Sequence, residues 1–255
     1  MVHVKRVALE FGEGLPEEKG GATRASNPWQ DWRNGLATPT IEEYLETIYI
    51  VGMESLPVRS ARVAEAMGVS APTMTDTLRR MAQQGYVQSE RGAGVVLTAK
   101  GRELAETLVR RHRLSERWLV DVLGLDWSQA HEEACRLEHA ISQEVEERLA
   151  RVLEYPATCP HGNPIPGSSI RTDGDAMPLS QAAGGEEVTV VRLSPLAEED
   201  PALLDYFRRN GLVPGATFRV AEVSPAAGVV TLEAGGSTVS LGMKGASSIW
   251  VQVSR

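Results

Sequence analysis

The chain has 255 residues, 42% of them hydrophobic, and a formal net charge of -8. Such a length and apolar content support two or three packed domains and exclude a disordered protein. No apolar run approaches the ~20 residues of a spanning helix and no signal-peptide layout opens the chain, so the expected compartment is the cytoplasm, with no membrane partner; two cysteines, Cys135 and Cys159, cannot make a disulfide framework.

Charge is unevenly spread. Residues 55–115 carry ten basic and five acidic side chains, a local +5, whereas 116–155 carry ten acidic and four basic. The first stretch suits phosphates and the second suits cations.

Residues 1–37 show no sustained period, contain GEGLPEEKGG and end in NPWQDWRNGL, so a mobile N-terminal tail is expected. Thr40 opens a helix, IEEYLETIYIVGM, with Ile41, Tyr44, Leu45, Ile48 and Tyr49 at core spacing. Thr40 and Glu43 form a capping box, the favoured role for Glu43; Glu46, one turn on, makes with it a carboxylate pair that can also take a cation.

A helix-turn-helix pattern follows, with a short helix from Ser60 ending at Gly68 and a second from Ala71 to Gly85, which Ser70 caps and in whose first turn Pro72 sits. The alternating run YVQSERGAGVVLTAKG turns at Arg91 to Gly94 and completes a winged helix. Arg62, Arg79, Arg80 and Arg91 are expected on phosphates; Thr73, Thr75 and Asp76 are placed to face base edges, the Asp preferring a cytosine amino group.

A long helix, about 99–123, carries His112 and Glu116 at i, i+4. Next comes DWSQAHEEACRLEHAIS, capped by Asp126 and Gln129. On one continuous helix His131, Cys135, Glu138 and His139 would fall at i, i+4, i+7 and i+8 on one stripe, an arrangement that points to a metal site. His131-Glu132-Glu133-Ala134-Cys135 also resembles the HExxH zinc-protease helix, so a zinc-dependent hydrolase using His131, Glu132 and Cys135 is the competing class. A winged-helix regulator sensing an organic ligand is a third. An acidic amphipathic helix from Ser142 to Leu153 ends a helical unit expected to dimerise. The Pro-, Gly- and Ser-rich 156–186 reads as a linker in which Cys159 and His161, two apart, are able to bind metal, although a structural role is favoured. Five short strands and one helix, PALLDYFRRNG, then suggest a small SH3-like barrel.

The segments TPTIEEYLETIY, VSAPTMTDTLRRM, VLTAKG, RRHRLSERWL, HEEACRLEHAIS and GNPIPG together resemble the diphtheria toxin repressor family of metal-dependent transcriptional regulators, strongly over about 38–167 and weakly over 187–254. The resemblance implies a mainly α protein with a small β domain. A winged helix-turn-helix DNA-binding domain (38–102) is followed by a helical dimerisation and metal-binding domain (103–155), the 156–186 linker and an SH3-like β-barrel (187–255). It implies one metal site from Glu43, Cys135, Glu138 and His139 and another from His112, Glu116 and His131, with Glu46 at a ligand position of the manganese-responsive branch. It places Asp200 and Leu203 where some relatives draw ligands from the SH3-like domain, and Ser70, Pro72 and Thr73 where relatives touch DNA. A carboxylate at Glu43 beside a thiolate at Cys135 mixes the two branches, so Mn(II) or Fe(II) is expected, with zinc, cobalt or nickel able to bind in vitro. The implied function is a homodimeric metal-dependent regulator, by analogy a repressor of metal-homeostasis genes, on a palindromic operator.

Overall fold

The computed structural model describes residues 40–90, 94–168 and 174–254. The tail 1–37 and the hairpin-tip Arg91 lie outside them. Helix α1 (Ile41–Glu54) starts where its capping box dictates: the Thr40 hydroxyl accepts from Glu43 N at 3.4 Å, and the Glu43 carboxylate accepts from Thr40 N. Its buried face, Tyr44, Leu45, Ile48 and Val51, packs on Val63, Met67, Met74 and Met81 of α2 (Ser60–Ala66), α3 (Ala71–Gln83) and the loop between them. Strands β1 (Val87–Glu90) and β2 (Gly94–Leu97) pair antiparallel, Val87 opposite Leu97, and place Val87 and Val95 in the same core.

Helix α4 (Ala99–Asp121) begins at Thr98, whose hydroxyl accepts from Gly101 N at 3.1 Å. It runs from the winged helix into the helical domain, where it packs on α5 (Trp127–Leu137) and α6 (Gln143–Val152). The continuous helix expected to carry His131, Cys135, Glu138 and His139 stops short of the last two. Helix α5 ends at Leu137 with Glu138 as its C-cap; Ala140 N and Ile141 N both donate to Leu137 O at 2.9 Å, and Ser142 caps α6 through Val145 N at 3.3 Å. A second strong N-cap, five residues beyond the end of α5, competes with helix propagation and takes the chain out in a tight turn.

Residues 156–168, expected as linker, pack as a pinned turn. Arg110, Arg113 and Arg117 lie on one face of α4 and donate to Pro166 O (2.9 Å), Pro164 O and Thr158 O (2.8 Å) respectively. Three guanidinium groups thus satisfy the carbonyls of a stretch that forms no regular ladder. Asn163 Nδ2 ties the same turn to Leu193 O at 2.9 Å.

The C-terminal domain is a six-stranded antiparallel sheet of order β3-β8-β4-β5-β6-β7, from β3 (Met177–Pro178), β4 (Glu187–Leu193), β5 (Thr217–Ser224), β6 (Val229–Ala234), β7 (Ser237–Gly242) and β8 (Ile249–Val253). The sixth strand, β3, falls within the stretch expected as linker. Register shifts in β4 near Val190/Arg192 and in β5 near Val220/Glu222 curl the sheet around a core that includes Val188, Val190, Phe218, Leu232 and Val251. Helix α7 (Pro195–Glu198) follows β4 directly, α8 (Pro201–Arg209) lies against α5, and α9 (Met243–Ser247) precedes β8. Among the described residues no helix is long and apolar enough to cross a membrane.

Gly162 sets the distance between the pinned turn and the sheet. Its φ is +86°, and a Cβ there would lie 2.3 Å from Val191 O. Strain and clash act together, so Gly162→Ala is expected to lower unfolding free energy by about 1–3 kcal/mol, read as a smaller midpoint in urea denaturation.

Candidate metal centre and nucleic-acid interface

A set of buried ionisable side chains collects where the three domains meet. Helix α1 supplies Glu46, α4 supplies His112 and Glu116, and α5 with its C-cap supplies His131, Cys135 and Glu138. The pinned turn adds Cys159 and His161, and α7 adds Glu198; all nine residues are less than 9% exposed. Their potential ligand atoms fall into overlapping groups within 4.8 Å: Glu46, His112, Glu138; His112, His131, Cys135; His112, Glu116, His131, Glu198; and Glu116, Cys159, His161.

His112 joins the groups. Its Nδ1 lies 2.7 Å from a Glu138 oxygen and its Nε2 3.1 Å from Glu116 Oε1. Around Glu116 Oε1 also converge His131 Nδ1 at 3.3 Å and His161 Nδ1 at 3.4 Å. Glu198 approaches His131 at 3.7 Å and His161 at 3.4 Å, and Glu199 lies 3.8 Å from His131 Nε2. Trp127 closes one side, its ring T-shaped to that of His161 at 4.8 Å. A cavity of about 30 Å³, room for one ion or water, has Glu46, His112, His131, Cys135 and Glu198 in its lining together with the Arg113 guanidinium side chain.

The sequence-derived ligand list divides on this geometry. Glu46, His112, Glu116, His131, Cys135 and Glu138 are brought together. Glu43 instead spends its carboxylate on the Thr40 N–H as a cap. His139, beyond the end of α5, belongs to none of the ligand groups among the described residues and stands at their rim: its Nδ1 lies 2.8 Å from Glu42 Oε2 on the outer side and its Nε2 3.1 Å from the buried Glu138 Oε1. Cys159 and His161, expected to be structural, stand inside the cluster. From the SH3-like domain the site receives Glu198 and Glu199. Asp200 caps α8, accepting from Ala202 N and Leu203 N, each at 3.1 Å. The sequence signal that would have found Glu198 is a Ser-Pro helix start directly after a strand, which turns the next acidic pair back toward the preceding domain.

The electrostatics suit a cation. Burial, reinforced by Glu138, holds the Glu46 carboxyl well above the usual range, and burial likewise raises Glu198. Burial would raise Glu116 and Glu138 too, but His161 and His112 pull Glu116 well down, and the hydrogen bond from His112 together with the contact from His139 lowers Glu138. Burial opposes charge on His112, His131 and His161, yet their carboxylate and thiol neighbours raise all three well above an ordinary histidine. The contact with Glu138 lifts His139 to about 9. Protons on imidazoles therefore balance the carboxylates. Even so, Glu46 Oε2, Glu116 Oε2 and His161 Nε2 are buried with no hydrogen-bond partner. Buried polar atoms are seldom left so, and a mixed N, S and O donor set with unsatisfied atoms fits a divalent transition metal.

The DNA-facing candidates occupy a different surface. Ser70, Pro72, Thr73, Thr75, Asp76, Arg79 and Arg80 are exposed along α3, and Arg62 is exposed on α2. Ser70 Oγ accepts from Thr73 N at 3.3 Å, fixing the N-terminus of α3, and Thr75 Oγ1 donates to Ala71 O at 2.9 Å. Asp76 and Arg79 pair at 3.0 Å, so Asp76 is available to a base edge only by sharing or releasing that arginine.

Fold and site together define a winged-helix DNA-binding protein with a buried metal-ligand cluster at its domain junction. Three family models match in series: the iron-dependent repressor N-terminal DNA-binding domain over 37–95, the iron-dependent repressor metal-binding and dimerisation domain over 98–167, and the FeoA domain over 177–253. The iron-dependent repressor IdeR of Mycobacterium leprae is 38% identical over 223 residues, covering 84% of this chain and 96% of that protein. The diphtheria toxin repressor of Corynebacterium diphtheriae is 45% identical over 128 residues, covering 50% and 57%. A solved manganese-dependent transcriptional repressor in complex with manganese superposes with a TM-score of 0.74 at 36% identity, covering 84% of this chain and all of that one. The chain belongs to the iron-dependent repressor family.

Because metal must displace histidine protons, its apparent affinity rises with pH. Each proton displaced from an imidazole that is still protonated is expected to add about a tenfold gain per pH unit, and His112, His131 and His161, all held well above an ordinary histidine, are the groups concerned. Mn(II) titrations at pH 6.5, 7.5 and 8.5, with proton release followed in weak buffer, check the sign and the proton count.

Proposed function

We infer that this chain is a metal-dependent transcriptional repressor for which Mn(II) or Fe(II) is the corepressor and double-stranded operator DNA the target. The observation that carries the reading is that Glu46, on the first helix of the DNA-binding domain, lies within 4.8 Å of ligand atoms from His112 and Glu138 in the helical domain. When bound, a cation would take over from the imidazole protons as the counter-charge of these carboxylates and tie the two domains in one orientation. Glu46, His112, Cys135 and Glu138 would hold one ion, with His139 at its rim. Glu116, His131, Cys159, His161 and Glu198 would hold a second, which adds the SH3-like domain to the junction. Glu43 takes part only if its capping bond to Thr40 is released.

Two chains would pair through the helical domain, where Val122, Leu123, Val145 and Val152 are large exposed apolar side chains. Pairing would set two α3 helices at the ~34 Å spacing of successive major-groove turns on a palindromic operator. Arg62, Arg79, Arg80 and Arg91 would meet phosphates, while Thr73, Thr75 and Asp76 would read bases from the capped N-terminal half of α3. Metal selectivity follows from the mixed donors: carboxylates favour Mn(II) and the thiolates favour later, softer ions. That balance allows zinc to bind in vitro, and a solved relative, ScaR, holds zinc. The hydrolase reading would need Glu132 beside the metal donors, and Glu132 belongs to none of the ligand groups among the described residues.

Operator binding by metal-stripped protein is the test. Added Mn(II), or anaerobic Fe(II), is expected to raise affinity by at least about tenfold, equivalent to ~1.4 kcal/mol of coupling, and Glu138→Ala is expected to abolish the gain. Equal binding by stripped and loaded protein sinks the corepressor role. Arg80→Ala should weaken operator binding across sequences and reduce the slope of log K against log salt by about 1, measured by fluorescence anisotropy from 50 to 200 mM salt.

A further inference from the structure

Glu42 stands beside the capping glutamate and takes no part in the cap. The Thr40–Glu43 box fixes the rotation of the first turn of α1, and in that rotation the Glu42 carboxylate faces the turn after α5, where Oε2 lies 2.8 Å from His139 Nδ1. His139 lies outside any helix, so bonds from its own ring decide which nitrogen points inward. Nδ1 hydrogen-bonds Glu42, while Nε2 faces Glu138 Oε1 at 3.1 Å, an ion-pair contact that leaves that oxygen without a hydrogen bond.

We propose that Glu42 is an outer-sphere positioning residue for the metal centre: by accepting a hydrogen bond from His139 Nδ1 it presents Nε2 to the ion and links the first turn of the DNA-binding domain to metal occupancy. The proposal rests on the metal-centre reading above. A ligating imidazole needs its second nitrogen protonated and held, and the loss of such a partner typically costs 10–100-fold in metal affinity. The alternative role, a stabilising ion pair, carries little here: the Glu42 side chain is 44% exposed and that of His139 25% exposed, and pairs so placed contribute little to folding. The two roles therefore separate cleanly by measurement. Reciprocity adds a second consequence. If Glu42 steadies His139 for the ion, bound ion steadies α1 against the helical domain by the same factor.

The test uses the full-length, metal-stripped protein titrated with Mn(II), free ion being read by electron paramagnetic resonance, for wild type, Glu42→Ala, Glu42→Gln and Glu138→Ala. Glu42→Ala is expected to bind 10–100-fold more weakly. Glu42→Gln, whose amide oxygen still accepts from Nδ1, should recover most of the loss, and the metal-free melting temperature of Glu42→Ala should match wild type. In zinc-loaded protein, nitrogen NMR of labelled histidines should find His139 as the Nδ1–H tautomer in wild type and as a mixture in Glu42→Ala. Wild-type affinity in Glu42→Ala beside a weakened Glu138→Ala overturns the proposal and leaves the metal centre standing. So does a loss matched by a lower metal-free melting temperature with the tautomer unchanged. Wild-type affinity in Glu138→Ala overturns the metal-centre reading, and the proposal with it.

Discussion

The structure depends on one costly arrangement: carboxylates, imidazoles and thiols buried together around the His112–Glu116 pair of α4. Taking such groups out of water is unfavourable unless opposite charge and hydrogen bonds replace the solvent. Here the replacement comes from three separate pieces of chain. The C-cap of α5 brings Glu138, the pinned turn brings His161, and α7 brings Glu198. None of these pieces contains its own compensation. Each is held in place partly by what the others contribute, and Glu46 and Glu116 each keep one buried oxygen without a hydrogen-bond partner.

On the reading proposed above, an ion that completes these groups would make the junction a sensor. A permanently satisfied network would fix the domains whatever the surroundings, whereas a network completed by a divalent ion converts ion availability into domain orientation. Glu46 is the link that matters mechanically, since it leaves from the helix that packs the recognition helix α3 through Tyr44, Leu45 and Ile48. Movement of α1 relative to α4 therefore moves the DNA-reading surface as a body. Close-packed cores transmit such shifts because they do not deform continuously.

The arginine face of α4 has a supporting role of a different kind. Arg110, Arg113 and Arg117 hold a proline-rich turn whose own pairing is a single antiparallel bridge, Thr158 opposite Pro164, and Gly162 lets that turn approach β4 closely enough for Leu193 N to reach His161 O at 2.9 Å. The SH3-like domain is thereby anchored to the metal centre through the backbone as well as through Glu198. Arg208 on α8 adds a pair with Asp126 at the start of α5, at 2.8 Å.

Local signals in the sequence determined a good deal. Thr40 with Glu43, Ser70 with Pro72, and Ser142 fixed helix starts because a capping side chain and the N–H it satisfies lie within three residues of each other. The winged helix and the His112/Glu116 spacing were legible for the same reason. The fate of Glu43 could be read as a cap, since capping needs no distant partner. Tertiary structure alone decided the rest. Ser142 competes with α5 and ends it at Leu137, which leaves His139 at the rim beside Glu42. Cys159 and His161 become cluster members because guanidinium groups 41 to 56 residues away hold their turn in place. Glu198, and not Asp200, reaches the site because β4 and α7 set its direction, while Asp200 is spent on capping α8. Charge compensation between separate segments leaves no periodic trace in a sequence, because its partners are chosen by packing across the fold and not by spacing along the chain.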